Sequence, residues 1–116
     1  MAIYILGSVI FGAYFVYSGF KHFSEEKSYT GYAKSKGIPS PRFAVLLTGA
    51  MMIVGGLGFI FNTHLQESAI LLLIFLVPTT FTMHTFWKSG DPMHRMNDQI
   101  NFTKNLALIG ALLMML

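Results

Sequence analysis

The first long stretch of the chain, Ala2 to Phe20 (AIYILGSVIFGAYFVYSGF), carries no charge, and Phe43 to Phe61 (FAVLLTGAMMIVGGLGFIF) repeats the pattern. A helix needs roughly 20 apolar residues to cross about 30 Å of hydrocarbon, and both runs meet that length. A third run starts near Ser68 and reaches about Trp87, with Pro78 inside it, where a missing amide is expected to bend or locally unwind the helix. A fourth, Ile100 to Leu116, is shorter. Soluble four-helix bundles keep a polar stripe on each helix, and the first two runs have none. The pattern therefore predicts an all-α fold: an integral membrane four-helix bundle forming a single domain over residues 1–116, with helices at about 2–22, 42–62, 66–87 and 99–116.

Composition agrees. The 116 residues make one domain, 53% of them are hydrophobic, and only 11% are charged, against roughly 25% in soluble proteins. Disorder is excluded by the same hydrophobicity. With no cysteine there is no disulfide framework and no thiolate metal site, so redox work would need a borrowed cofactor. The net charge of +3 does not point to nucleic acid, because the basic residues lie between apolar runs. The opening Met-Ala-Ile has no basic segment ahead of the first run and no small-x-small cleavage site after it, so that run is read as an anchor.

The connections separate by charge. Lys21, Lys27, Lys34, Lys36 and Arg42 fall in the first, Lys88, Arg95 and Lys104 in the third or just beyond it, and none in Asn62 to Glu67. The positive-inside rule then places the first and third connections in the cytoplasm and both termini on the outer side. The first connection has room for a short interfacial helix around Glu25 to Ser35, with Tyr29 and Tyr32 at headgroup level, ended by Gly37-Ile38-Pro39-Ser40-Pro41. Glu25, Glu26 and Lys27 read as a solvated helix face, and Asp91, Arg95 and Asp98 as a solvated loop.

Helices in lipid associate through small residues. Gly12 and Gly19 are spaced by a heptad, as are Gly49 and Gly56, and Ala107 and Ala111 form a small-xxx-small step; Ser8 and Gly12 form another. These positions predict close helix packing, although glycine is common in membrane helices for other reasons. Polar residues at membrane depth are more telling, because placing them there is costly. His22 ends the first run, His84 lies in the last turns of the third, and Asn101, Lys104 and Asn105 share one face of the fourth. Tyr14 and Ser18 share a stripe with His22, and Thr80 shares one with His84, so these eight residues are the candidate ligand-binding cluster, near the cytoplasmic boundary. The alternatives are snorkelling for His22 and Lys104 and interhelical hydrogen bonding for the asparagines. Trp87 reads as an aromatic-belt anchor, and His64 as a loop residue on the opposite side.

The segments GFKHF, YAKSKGIPSP, GAMMIVGGLGFIF, MHTFW and INFTKNLALIGALL, in this order and spacing, resemble the DoxX family of small four-helix membrane proteins of bacteria and archaea. The resemblance implies a membrane subunit linked to thiosulfate:quinone oxidoreductase or a role in quinone or catechol resistance. It also implies complexes with soluble or membrane-associated redox proteins and a place in the cytoplasmic (inner) membrane of a prokaryote. The positions matching the family's polar pattern are His22, His84, Asn101, Lys104 and Asn105. Where many relatives carry an acidic residue in the second helix, this chain has Met51 and Met52, which puts a proton or metal role there in doubt.

Two functions follow as expectations. One is a small redox-linked subunit binding a quinone, with neutral His22 and His84 donating to its carbonyls, Lys104 facing negative charge on the reduced ring, and Asn101 and Asn105 fixing the side chains. Whether it acts as an enzyme is left open. The other is a non-catalytic accessory subunit that stabilises a larger membrane complex, with homo-oligomerisation as a variant. No intrinsic cofactor and no metal are expected; the alternatives are a b-type haem on His22 and His84, or Cu(I) among Met83, His84, Met93, His94 and Met96. A transporter is disfavoured, since four helices without an inverted repeat alternate access poorly.

Overall fold

A computed structural model describes residues 2–83 and 90–116, which form five helices: α1 (Ala2–Ser24), α2 (Glu26–Ser35), α3 (Pro41–Ile60), α4 (Leu65–Met83) and α5 (Pro92–Met114). Four are long, and α2 is the short one in the connection between α1 and α3. Among the described residues, α1, α3 and α4 are the helices long and apolar enough to cross a membrane. The protein is therefore a multi-pass membrane protein with an all-helical fold.

The last helix differs most from the sequence expectation. α5 begins at Pro92, well ahead of the apolar run that starts at Ile100. Pro92 suits the first helical position, where its missing amide costs nothing, and the helix then runs through the polar stretch His94 to Gln99. Its first half is too polar to join the spans, and the predicted fourth crossing coincides with the second half only.

α1 packs most extensively on α3, followed by α4 against α3 and α5 against α4. The α1–α3 contact is antiparallel and set by glycine. A Cβ on Gly56 would fall 2.6 Å from the Gly12 carbonyl oxygen, and one on Gly19 would fall 2.6 Å from the Gly49 carbonyl oxygen. The two heptad-spaced pairs thus meet each other in opposite directions, backbone against backbone. Ser8 closes the same interface, its buried hydroxyl donating to the Phe59 carbonyl at 2.6 Å. Ala107 is exposed and Ala111 half-buried, so this step faces away from the glycine interface. The core proper gathers Phe15, Met52, Phe59, Leu72, Phe75, Leu76 and Leu112. α4 is helical through Pro78, without unwinding, and the Thr82 hydroxyl donates to the Pro78 carbonyl at 2.7 Å.

α2 is held by its ends and by two neighbours. Glu26 in its first turn and Lys34 in its last complement the helix dipole. At the C-terminus, Ile38 N–H bonds the Ala33 carbonyl and Gly37 N–H the Lys34 carbonyl, with Gly37 at φ +78°. That is a Schellman cap, and glycine takes the left-handed position without strain. Glu26 pairs with Arg42 at the start of α3. On the other flank, Tyr32 donates to Asp98 of α5 at 2.5 Å and Lys36 pairs with the same carboxylate at 2.7 Å.

The expected solvated loop at Asp91 to Asp98 is corrected by these contacts. Asp91 is the N-cap residue of α5, and Asp98 is only 4% exposed, because α2 lies over it and supplies two donors.

Candidate functional site

A cavity of about 720 Å³ lies among α1, α3, α4 and α5 under α2. Tyr14, Ser18 and His22 reach it from α1, Thr48 and Met52 from α3, and Asn101, Lys104, Asn105 and Leu108 from α5. Tyr29, Tyr32 and Ala33 of α2 form its roof. Six of the eight candidate residues therefore share one cavity. Thr80 does not line it: this side chain is fully buried in α4 with an unpartnered hydroxyl. His84, the Met83 side chain and Trp87 lie outside the described residues.

His22 is anchored by its surroundings. Its Nδ1 lies 3.0 Å from the Val45 carbonyl oxygen, an acceptor only, so this nitrogen must carry the proton. Thr48 fits the same assignment, since its hydroxyl proton is directed at the Ala44 carbonyl at 2.7 Å and its lone pair faces Nδ1 at 3.3 Å. The neutral ring then presents Nε2 as an acceptor. In this tautomer the donor of His22 goes to the backbone of α3 and not to a carbonyl ligand. The ring also lies 4.6 Å from that of Tyr29, tilted by 32°, which ties it to the roof.

The α5 side supplies donors. Asn105 is 5% exposed, lines the cavity, and makes no side-chain hydrogen bond among the described residues; the half-buried Asn101 makes none either. The enclosed unpartnered polar atoms among the described residues are the Thr30 and Thr80 hydroxyls, so the two amides open onto the cavity, where a ligand can pair with them. Lys104 Nζ lies 5.7 Å from the centre of the Tyr14 ring, a cation–π contact between α5 and α1. Tyr14 stands mid-way along α1. Because α5 starts early, Lys104 stands near the middle of a full-length helix instead of at the edge of a short one.

Outside the spans, burial and then the hydrogen bond to Asp98 hold the Tyr32 hydroxyl well above the usual tyrosine range, and burial raises Tyr29. His94 is exposed beside Asp91, at 3.8 Å, and does not line the cavity. Among the described residues no three side chains of metal-ligating type cluster. Glu26, expected on a solvated face, is ion-paired to Arg42 and largely covered.

Sequence reading missed Asp98, Tyr32 and Lys36 as a unit and Thr48 as the residue behind His22. Their partners lie far away in the chain, and no local spacing marks them. A family model described as DoxX matches residues 5–85, which is α1 through α4. No curated protein and no solved structure matches the chain. The match ends before α5, so Asn101, Lys104 and Asn105 stand on the geometry alone.

Proposed function

The chain belongs to the DoxX family, and from that premise we propose that this small integral membrane protein binds a quinone-type ring in the cavity beneath α2, as a subunit of a redox-linked membrane complex. The observation that carries the reading is Asn105, a residue 5% exposed that lines a cavity of about 720 Å³ and makes no side-chain hydrogen bond among the described residues. Asn101 and Lys104 add donors on the same helix, suited to carbonyl oxygens. Across the cavity, Nε2 of His22 is suited to accept from the hydroxyl of a reduced ring. Phe15, Phe75, Leu76 and Leu108 supply the apolar wall that a ring needs. In this reading electrons arrive from a partner protein of the complex.

In this reading α2 lies at the cytoplasmic boundary of the inner membrane. Lys27 and Lys34 lie on it, Lys36 and Arg42 follow it, and the second half of α5 completes a fourth crossing. The molecule is 46 Å long, more than the roughly 30 Å hydrocarbon layer, which leaves room for α2 and the first turns of α5 among the headgroups.

The test is equilibrium binding of 2-methyl-1,4-naphthoquinone to protein purified in mild detergent. Saturable binding weakened about tenfold by Asn105→Leu, the loss of one buried hydrogen bond, supports the reading. Protein that carries no extractable quinone and binds none removes it.

A further inference from the structure

The cavity carries a positive charge that nothing in the described chain neutralises, and we infer that its ligand is held as an anion, with an ionised oxygen at Lys104. The inference rests on the reading that a quinone-type ring occupies the cavity, and it narrows that class to acidic, ionised rings. Two charged residues line the cavity. Glu25 is spoken for by Lys21, at 3.5 Å, whereas Lys104 has no carboxylate within ion-pair distance among the described residues. Its cationic contact is the face of Tyr14, at 5.7 Å from the ring centre.

Depth makes this charge informative. Counting 1.5 Å per residue, Tyr14 stands about 15 Å inside the Ser24 end of α1. Lys104 is exposed, yet the ring it covers belongs to the middle of a helix long and apolar enough to cross a membrane, so a counter-charge there has to come from the chain or from a ligand. The groups beside it on α5, Asn101 and Asn105, carry amide donors that make no hydrogen bond among the described residues. A neutral ring fills such a site and leaves the ammonium uncompensated. An ionised oxygen compensates it through a charge-assisted hydrogen bond, roughly twice as strong as a neutral one.

The experiment compares two naphthoquinones of the same ring size in equilibrium binding to the full chain in mild detergent. One is 2-hydroxy-1,4-naphthoquinone, ionised at neutral pH, and the other is the uncharged 2-methyl compound. The wild type is expected to bind the ionised ring at least about tenfold more tightly. Lys104→Gln is expected to collapse that preference to about twofold or less, and Lys104→Arg to keep it. Equal binding of both rings by the wild type overturns the inference and leaves the quinone reading standing. A preference that survives Lys104→Gln also overturns it, because the charge is then read elsewhere. Binding of neither ring overturns the quinone reading itself and the inference with it. Should Lys104→Gln fail to fold, the wild type and Lys104→Arg still decide.

Discussion

The Lys36 ammonium lies 2.7 Å from the Asp98 carboxylate, joining two residues 62 positions apart and fastening the roof of the cavity to α5. The same carboxylate accepts from Tyr32, so Asp98 satisfies two donors of α2 at a site where it is itself almost wholly buried. Burying a carboxylate is costly unless it is paired and hydrogen-bonded, and here both conditions are met. Among the described residues α2 is also held by an ion pair to α3, through Glu26 and Arg42, and by the packing of Ala33 and Tyr29.

Replacing Asp98 by Ala is therefore predicted to release the α5 side of the roof. Two charge-assisted contacts are lost and Lys36 is left without its carboxylate, for a cost of about 2–3 kcal/mol. In hydrogen–deuterium exchange, the amides of Glu26–Ser35 should lose protection while those of α3 keep theirs. Unchanged exchange in α2 would show that Ala33 and the Schellman cap hold the helix by themselves.

Tyr32 gives the pH dependence. Its folded-state acidity is displaced upward, by burial first and by the Asp98 hydrogen bond next, so the neutral phenol is favoured in the folded protein. A raised value means the stabilisation is complete below the unfolded value of about 10 and is lost as pH rises from there towards the folded value. Nothing from this group changes between neutral pH and the onset of tyrosine ionisation. In an ultraviolet titration, the difference between wild type and Tyr32→Phe should show no phenolate step near pH 10. A full step at that pH would mean that Tyr32 does not hold its bond to Asp98 in solution.

The glycine interface is tested by adding a methyl group. Gly56→Ala puts a Cβ against the Gly12 carbonyl oxygen and the Val16 side chain, and backbone cannot move aside as a flexible side chain can. Overpacking of this kind costs roughly 1–3 kcal/mol. Gly110→Ala is the control, because nothing lies within 4 Å of its added Cβ, and helix propensity predicts a slight gain there. Thermal unfolding in one detergent should separate the two variants in opposite directions. Equal midpoints would remove the close α1–α3 approach.

What the sequence made legible follows from the range of the interactions involved. The uncharged runs fix three membrane-capable helices because each needs only its own residues to be apolar, and heptad spacing alone puts Gly12 with Gly19 and Gly49 with Gly56. The start of α5 was hidden, since the apolar positions ahead of the run, Met93 and Met96, stand among polar residues and stay exposed, and this stretch is held as a helix by Pro92 and by α2 lying over Asp98. Polar residues at membrane depth stood out one by one because they are expensive there, and Tyr14, Ser18, His22, Asn101, Lys104 and Asn105 prove to line one cavity. Thr80 shows the limit of that logic: a hydroxyl is cheap enough to bury without a site to serve. Thr48 went unseen because its relation to His22 exists only once α1 and α3 are packed.

That packed relation makes a prediction about hydrogen atoms. Val45 offers His22 a carbonyl oxygen, and Thr48 has spent its proton on Ala44, so both neighbours of Nδ1 demand a donor from the ring. The neutral imidazole is then fixed with Nδ1 protonated and Nε2 bare, the less common arrangement for a free histidine. Nitrogen-15 NMR of ring-labelled protein should show this tautomer for His22, distinct from that of the exposed His64 and His94. Thr48→Val removes one neighbour and leaves the Val45 carbonyl, so the tautomer should persist in that variant with a weaker bond. If His22 instead carries its proton on Nε2, the contact with Val45 is not a hydrogen bond, and the ring is free to donate into the cavity.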